Sequence, residues 1–138
     1  MTVRHGWTVV LLAAGALGGT AAAAHHSISA VYDNRKPVTI TGSVREFQFV
    51  NPHPWIGLDA AGETGVVSRW RLELDNRWEL VEIGMRADTF KAGDMVVATG
   101  SSGRDGARAV YVLRLDRAAD GLHYEQNGPS PSLRFLAR

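Results

Sequence analysis

The stretch Val66 to Leu74 reads VVSRWRLEL, and its alternation constrains this chain more than any other segment. Trp70, Leu72 and Leu74 share one parity, while Arg69, Arg71 and Glu73 share the other. Strict period-two amphipathicity demands a strand with one dry side and one wet side, so the chain must build a sheet over an apolar core. No cysteine is present, so that core stands without disulfides, and thiolate metal sites and cysteine nucleophiles are excluded.

Other strands can be read around this one. Pro37 opens a long β-like stretch, Val38 to Val50, in which Val38, Ile40, Gly42 and Val44 lie on one parity and Phe47 and Phe49 on the other. The apolar face changes sides near Arg45, as it does at a bulge in a coiled strand, and Gly42 is a natural point of curvature. Two prolines in Asn51-Pro52-His53-Pro54 stop that strand. Trp55 to Asp59 is a short second strand, followed by the turn Ala60 to Gly65 and the third strand, Val66 to Leu74. Asn76 is placed to cap a short helix, Arg77 to Ile83, with Glu79 at the capping-box position and Gly84 ending it. Met95 to Thr99 and Ala109 to Leu115 complete the strands, with Ser101 to Gly106 read as a polar hairpin loop. The expectation is a mainly β fold, a small five-stranded OB-like barrel with one short helix between strands three and four. A split sandwich or open roll is the second choice.

The amino-terminal 24 residues have a different character. Arg4 precedes an apolar run, Trp7 to Leu17, and small residues lead to Ala21 to Ala24. This is the pattern of a cleaved secretory signal peptide, cut after Ala23 or Ala24, and it is too short for a membrane span. The expected organisation is a signal at 1–24, an arm at 25–36, the OB-like domain at 37–116 and a polar, flexible tail at 117–138. The expected location is the periplasm or the exterior, with no stable membrane insertion after cleavage. Without the signal and its Arg4, 14 basic residues face 14 acidic ones. That neutral balance gives no reason to expect nucleic acid as a partner.

The chemistry-bearing residues are few. A chain beginning Ala24-His25-His26 offers an amine, two backbone amides and an imidazole to Cu(II) or Ni(II) in a square plane. One beginning at His25 offers the amine and the His25 imidazole instead. His53, restrained between two prolines, is the candidate third copper ligand, with Tyr32 and Asp33 as outer-shell partners and His123 a weaker alternative. The plainer reading makes the histidine pair a solvated end and His53 a turn residue. Asn51, His53 and Trp55 together form the candidate ligand-binding turn, beside the aromatic cluster Phe47, Phe49, Trp70 and Trp78. No serine-hydrolase or phosphate-loop motif is present, and the carboxylates read as surface or capping groups, so no catalytic residue is assigned. A non-catalytic binding module for a small ligand or a periplasmic protein is the leading expectation. A copper-binding protein is the alternative, and an oxidative copper enzyme the least favoured.

Several stretches together carry a resemblance: Ala24-His25-His26-Ser27, Lys36 to Gly42, Asn51 to Ile56, Trp70 to Leu74 and Phe90 to Asp94. With them the chain resembles an uncharacterised family of small exported bacterial proteins, domain of unknown function 6152. The resemblance implies a periplasmic, OB-like β domain and directs attention to His25-His26 and Asn51–Trp55. It runs from His25 to about Leu115, and Asp75-Asn76-Arg77-Trp78 departs from it.

Overall fold

The computed structural model describes residues 27–136. A single helical turn, α1 (Ile28–Val31), leads into a long strand β1 (Tyr32–Gln48). Then follow β2 (Trp55–Ala61), β3 (Val67–Glu73), α2 (Arg77–Glu82), β4 (Met95–Gly103), a 3-10 turn (Arg104–Gly106), β5 (Ala109–Arg117), β6 (Leu122–Asn127) and β7 (Ser130–Phe135). The chain is mainly β. All seven strands lie in one sheet, ordered β3-β2-β1-β4-β5-β6-β7, and an extra parallel pairing of β3 with β5 closes β1, β2, β3, β5 and β4 into a ring.

The long strand serves two neighbours because it bends. Its first half pairs with β4 and its second half with β2, and the register slips between Val44 and Glu46. That slip is where the apolar parity of the sequence changes sides. Gly42 makes the bend compatible with packing, because any Cβ there would overlap the Asp59 carbonyl oxygen.

Inside the ring, Val44, Ile56, Leu58, Leu72, Val96 and Val110 are essentially inaccessible to water. α2 adds Leu80 to this core, and burying that one side chain stabilises the fold by roughly 1.5–3 kcal/mol. Asn76 starts the helix as its sequence position implies, its side chain accepting from the Glu79 amide at 3.0 Å. Gly84, at φ 89°, follows its end. α2 lies between β3 and β4, and α1 is a second helical element that the sequence did not signal.

Four expectations need correction. The sheet has seven strands, not five. The arm at 25–36 is not irregular throughout, since β1 already begins at Tyr32 and pairs Tyr32 with Gly103. The stretch after Asp116 is no flexible tail: β6 and β7 form a hairpin on the second half of β5. Leu122 and Tyr124 explain it, for their alternation buries both in the core while His123 and Glu125 take the opposite face of the strand. Similarly, β4 runs on through Gly100 to Gly103, residues that read as loop. The strand passes Tyr111 so closely there that a Cβ on Gly100 would overlap the Tyr111 carbonyl oxygen. No helix among the described residues is long and apolar enough to cross a membrane.

Candidate functional site

Two loops border β3, one past its carboxyl end at Leu74 and one beside Trp70. The first is the turn Asn51–Pro54. Pro54 is buried, its carbonyl accepts the Leu74 amide at 2.9 Å, and the Pro52 carbonyl accepts the Arg77 amide at 3.0 Å. His53 is half-buried, with Nδ1 3.1 Å from the Leu74 carbonyl oxygen. A carbonyl only accepts, so Nδ1 is the donor, and in the neutral ring Nε2 is the nitrogen left with a lone pair. Trp55 pairs across the strands with Glu73, and the Arg71 guanidinium lies 4.2 Å from its ring. Asn51 is exposed. The three residues expected to bind a ligand therefore share one turn, with His53 bonded to the β3–α2 corner and Trp55 covered by Arg71.

Beside this turn the root of the amino-terminal arm is anchored. Tyr32 is buried against Tyr111, their rings 5.8 Å apart, and its hydroxyl donates to Glu73 Oε2 at 2.6 Å. Burial, and next the Glu73 bond, push the Tyr32 hydroxyl far above the usual tyrosine range, so it stays protonated and donates. His25 and His26 lie outside the described residues. Among the described residues no three histidine or carboxylate side chains form a group that could hold a metal ion. His123 is not in a loose tail but buried on β6, with Nδ1 2.7 Å from Asp116 Oδ1 and Nε2 3.6 Å from Glu125 Oε2.

The second loop, Gly103–Ala107, borders a cavity of about 450 Å³ that no sequence pattern had marked. Asp33, Lys36, Trp70, Ser102 and Arg104 line it with the loop itself. The register explains their convergence. Asp33 pairs with Ser102 and Pro37 with Ser101, so Asn34, Arg35 and Lys36 bulge out over the rim. Trp70 has the inward parity of Leu72 but sits where the ring ends, and so stays half-buried. Asp33 is buried and accepts from the Arg35 amide at 3.1 Å and Arg35 Nε at 3.2 Å, with Arg104 Nη1 at 3.7 Å. The Arg35 side-chain bond, followed by the Arg35 amide, holds the Asp33 carboxyl below the usual range. Arg104 Nε also donates to the Ser29 carbonyl at 3.1 Å, tying α1 to this rim.

A smaller hollow of about 300 Å³ lies at Asp88, Asp94, Arg117 and Asp120. Its one arginine is committed: Arg117 bonds Asp94, Asp120 and the Thr89 carbonyl. That network joins the β4 approach to the end of β5 and is a structural clamp.

The chain belongs to a family of unknown function, DUF6152, whose model matches residues 10–111. No curated protein matches. Among solved structures, a chain in the crystal structure of a complex of TiaS with tRNA and ATP aligns at 11% identity with a TM-score of 0.46. That alignment covers 78% of this chain and 30% of the other, so the chain spans about a third of the length of that structure.

Proposed function

We propose that this protein is an exported, non-catalytic binding module built on an OB-like barrel, and that it takes its ligand in the cavity beside Gly103–Ala107. The observation that carries the reading is the cavity, an open space of about 450 Å³ with Trp70 as its wall. The closed ring of five strands supports the OB-like assignment. Barrels of that type bind ligands on the outer face of strands two and three and at the loops after strands one and four, and the cavity adjoins the loop after β4. Export rests on the leader-like sequence before Ala24, which places the module in the periplasm or outside the cell. The partner is a small molecule or another periplasmic protein, since export would remove the module from the cell's nucleic acid.

The test is a screen of small aromatic probes against isotope-labelled protein, with the Trp70 indole resonance assigned through Trp70→Phe. Binders are expected to shift that resonance and the amides of Gly103–Ala107. Shifts confined to the Asn51–Trp55 turn or to α2 would place the site elsewhere.

One observation favours copper binding as a second reading. The Leu74 carbonyl holds His53 by Nδ1, so the neutral ring turns Nε2 outward as its free acceptor, the orientation that metal-ligating histidines usually receive from a backbone acceptor. Tyr32, six residues after His26 in the chain, donates its hydroxyl to Glu73, the strand partner of Trp55. Intact mass and metal content of periplasmic protein test this reading. A start at Ala24 or His25 with one tight copper, weakened by His53→Ala, supports it. Loose copper indifferent to that substitution removes it.

A further inference from the structure

We infer that the cavity beside Gly103–Ala107 selects an anion: a carboxylate- or phosphate-bearing small molecule with a flat, apolar body. This rests on the reading of that cavity as the ligand site.

The whole chain carries a formal charge of only +1, but the fold does not spread its charges evenly. The bulge before Pro37, the segment of β3 around Trp70 and the loop after β4 meet at this end of the ring. They set Lys36 and Arg104 in the lining, with Arg35 beside it on Asp33, while the acids of the lining are Asp33 and Asp105. Glu73, the next acid along β3, is occupied by the Tyr32 hydroxyl.

These charges are not equally free. Asp33 faces two guanidinium groups, so its charge is already compensated. Lys36 forms no ion pair or hydrogen bond among the described residues, though it lines the cavity. Arg104 spends Nε on the Ser29 carbonyl and holds Asp33 only at 3.7 Å, leaving donors for a bound oxyanion. Asp105 is the opposing charge, exposed at the loop tip with φ 56°. Trp70 supplies the complementary surface, an aromatic face that accepts a planar body. A cationic rim over an aromatic wall recognises an anion on a flat scaffold, and a carboxylate and a phosphate meet it with the same chemistry.

Two probes with the same flat body separate the outcomes: 2-naphthoate and 2-naphthylmethylamine, titrated against the full chain after export, with the Trp70 indole resonance as readout. The naphthoate should bind at least about 10-fold more tightly than the amine and lose affinity as salt rises. Lys36→Glu should weaken naphthoate about 10-fold or more, Asp105→Asn should tighten it about 2-fold, and circular dichroism should show both variants folded. Inorganic phosphate competing with naphthoate would identify phosphate as an acceptable head group, and failure to compete would restrict the class to carboxylates. Equal or tighter binding of the amine, or indifference to Lys36→Glu, would overturn the anion assignment while leaving the cavity as a ligand site. If neither probe moves the Trp70 resonance, the cavity itself is not the site.

Discussion

The turn Asn51–Pro54 and the loop Gly103–Ala107 both border β3, yet they are built in opposite ways. The first is bonded outward: its Pro52 and Pro54 carbonyls and its His53 ring all engage the β3–α2 corner. The second is bonded mainly to itself, the Ala107 amide closing on the Arg104 carbonyl at 3.1 Å. Its outward reach is the Arg104 side chain and, at its root, the pairing of Gly103 with Tyr32. A loop whose backbone is used up holding neighbouring elements has little left to offer a ligand. A loop that satisfies its own backbone can leave side chains and space for one. The conspicuous residues thus stand in the turn that secures the fold, and the open volume lies at the inconspicuous one.

Substitutions can break this comparison or sharpen it. The largest effect should come from the strand entering the second loop. Gly100→Ala must push a methyl group into the Tyr111 carbonyl, where two backbones meet and neither is a flexible side-chain end. A loss of about 3 kcal/mol in chemical denaturation is expected, or failure to fold. Near-normal stability would show that the base of this loop is as yielding as its tip. His53→Ala should cost about 1–2 kcal/mol by leaving the Leu74 carbonyl without its partner, and should leave naphthoate binding unchanged. Lost ligand binding with unaltered stability would exchange the roles of the two loops.

The smallest effect concerns pH. The Asp33 carboxyl is held below its ordinary value of 3.8 by Arg35, so its contribution to stability is present above that value and is lost as pH falls through the lowered one. Asp33→Asn should therefore flatten the fall in stability below about pH 4 relative to the parent, measured by denaturation at several pH values. An unchanged acid limb would mean that the Asp33–Arg35–Arg104 contact is too solvated to matter.

How much of this was legible depended on how local the signal was. The alternation of Val66–Leu74, the change of apolar parity near Arg45 and the Asn76 cap are each written within a few neighbouring residues, and the structure holds a strand, a register slip and a helix start at those places. The β6–β7 hairpin was hidden because Leu122 and Tyr124 are its only large apolar residues before the turn, set among Gly121, His123, Glu125 and Gln126. Two apolar positions are too few to establish a period. The cavity was hidden for a different reason. Lys36, Trp70 and Arg104 are far apart in the chain, and only ring closure brings them together. His53 drew attention through its two prolines, which correctly mark a turn and carry no information about the bond to Leu74.

The parallel contact of β3 with β5 has a kinetic consequence. Antiparallel neighbours such as β2 and β3 can zip from a short turn, but Arg71 to Glu73 can meet Ala109 to Tyr111 only after α2, β4 and their connections have been laid down. Closing so long a loop costs chain entropy before any contact repays it, so this seam should form late on the route to the native state. Weakening it, for instance by Val110→Ala, should then accelerate unfolding far more than it slows folding, and stopped-flow chevrons would show the change in the unfolding arm. The same latch that gathers the cavity's residues would set the protein's lifetime in its folded form.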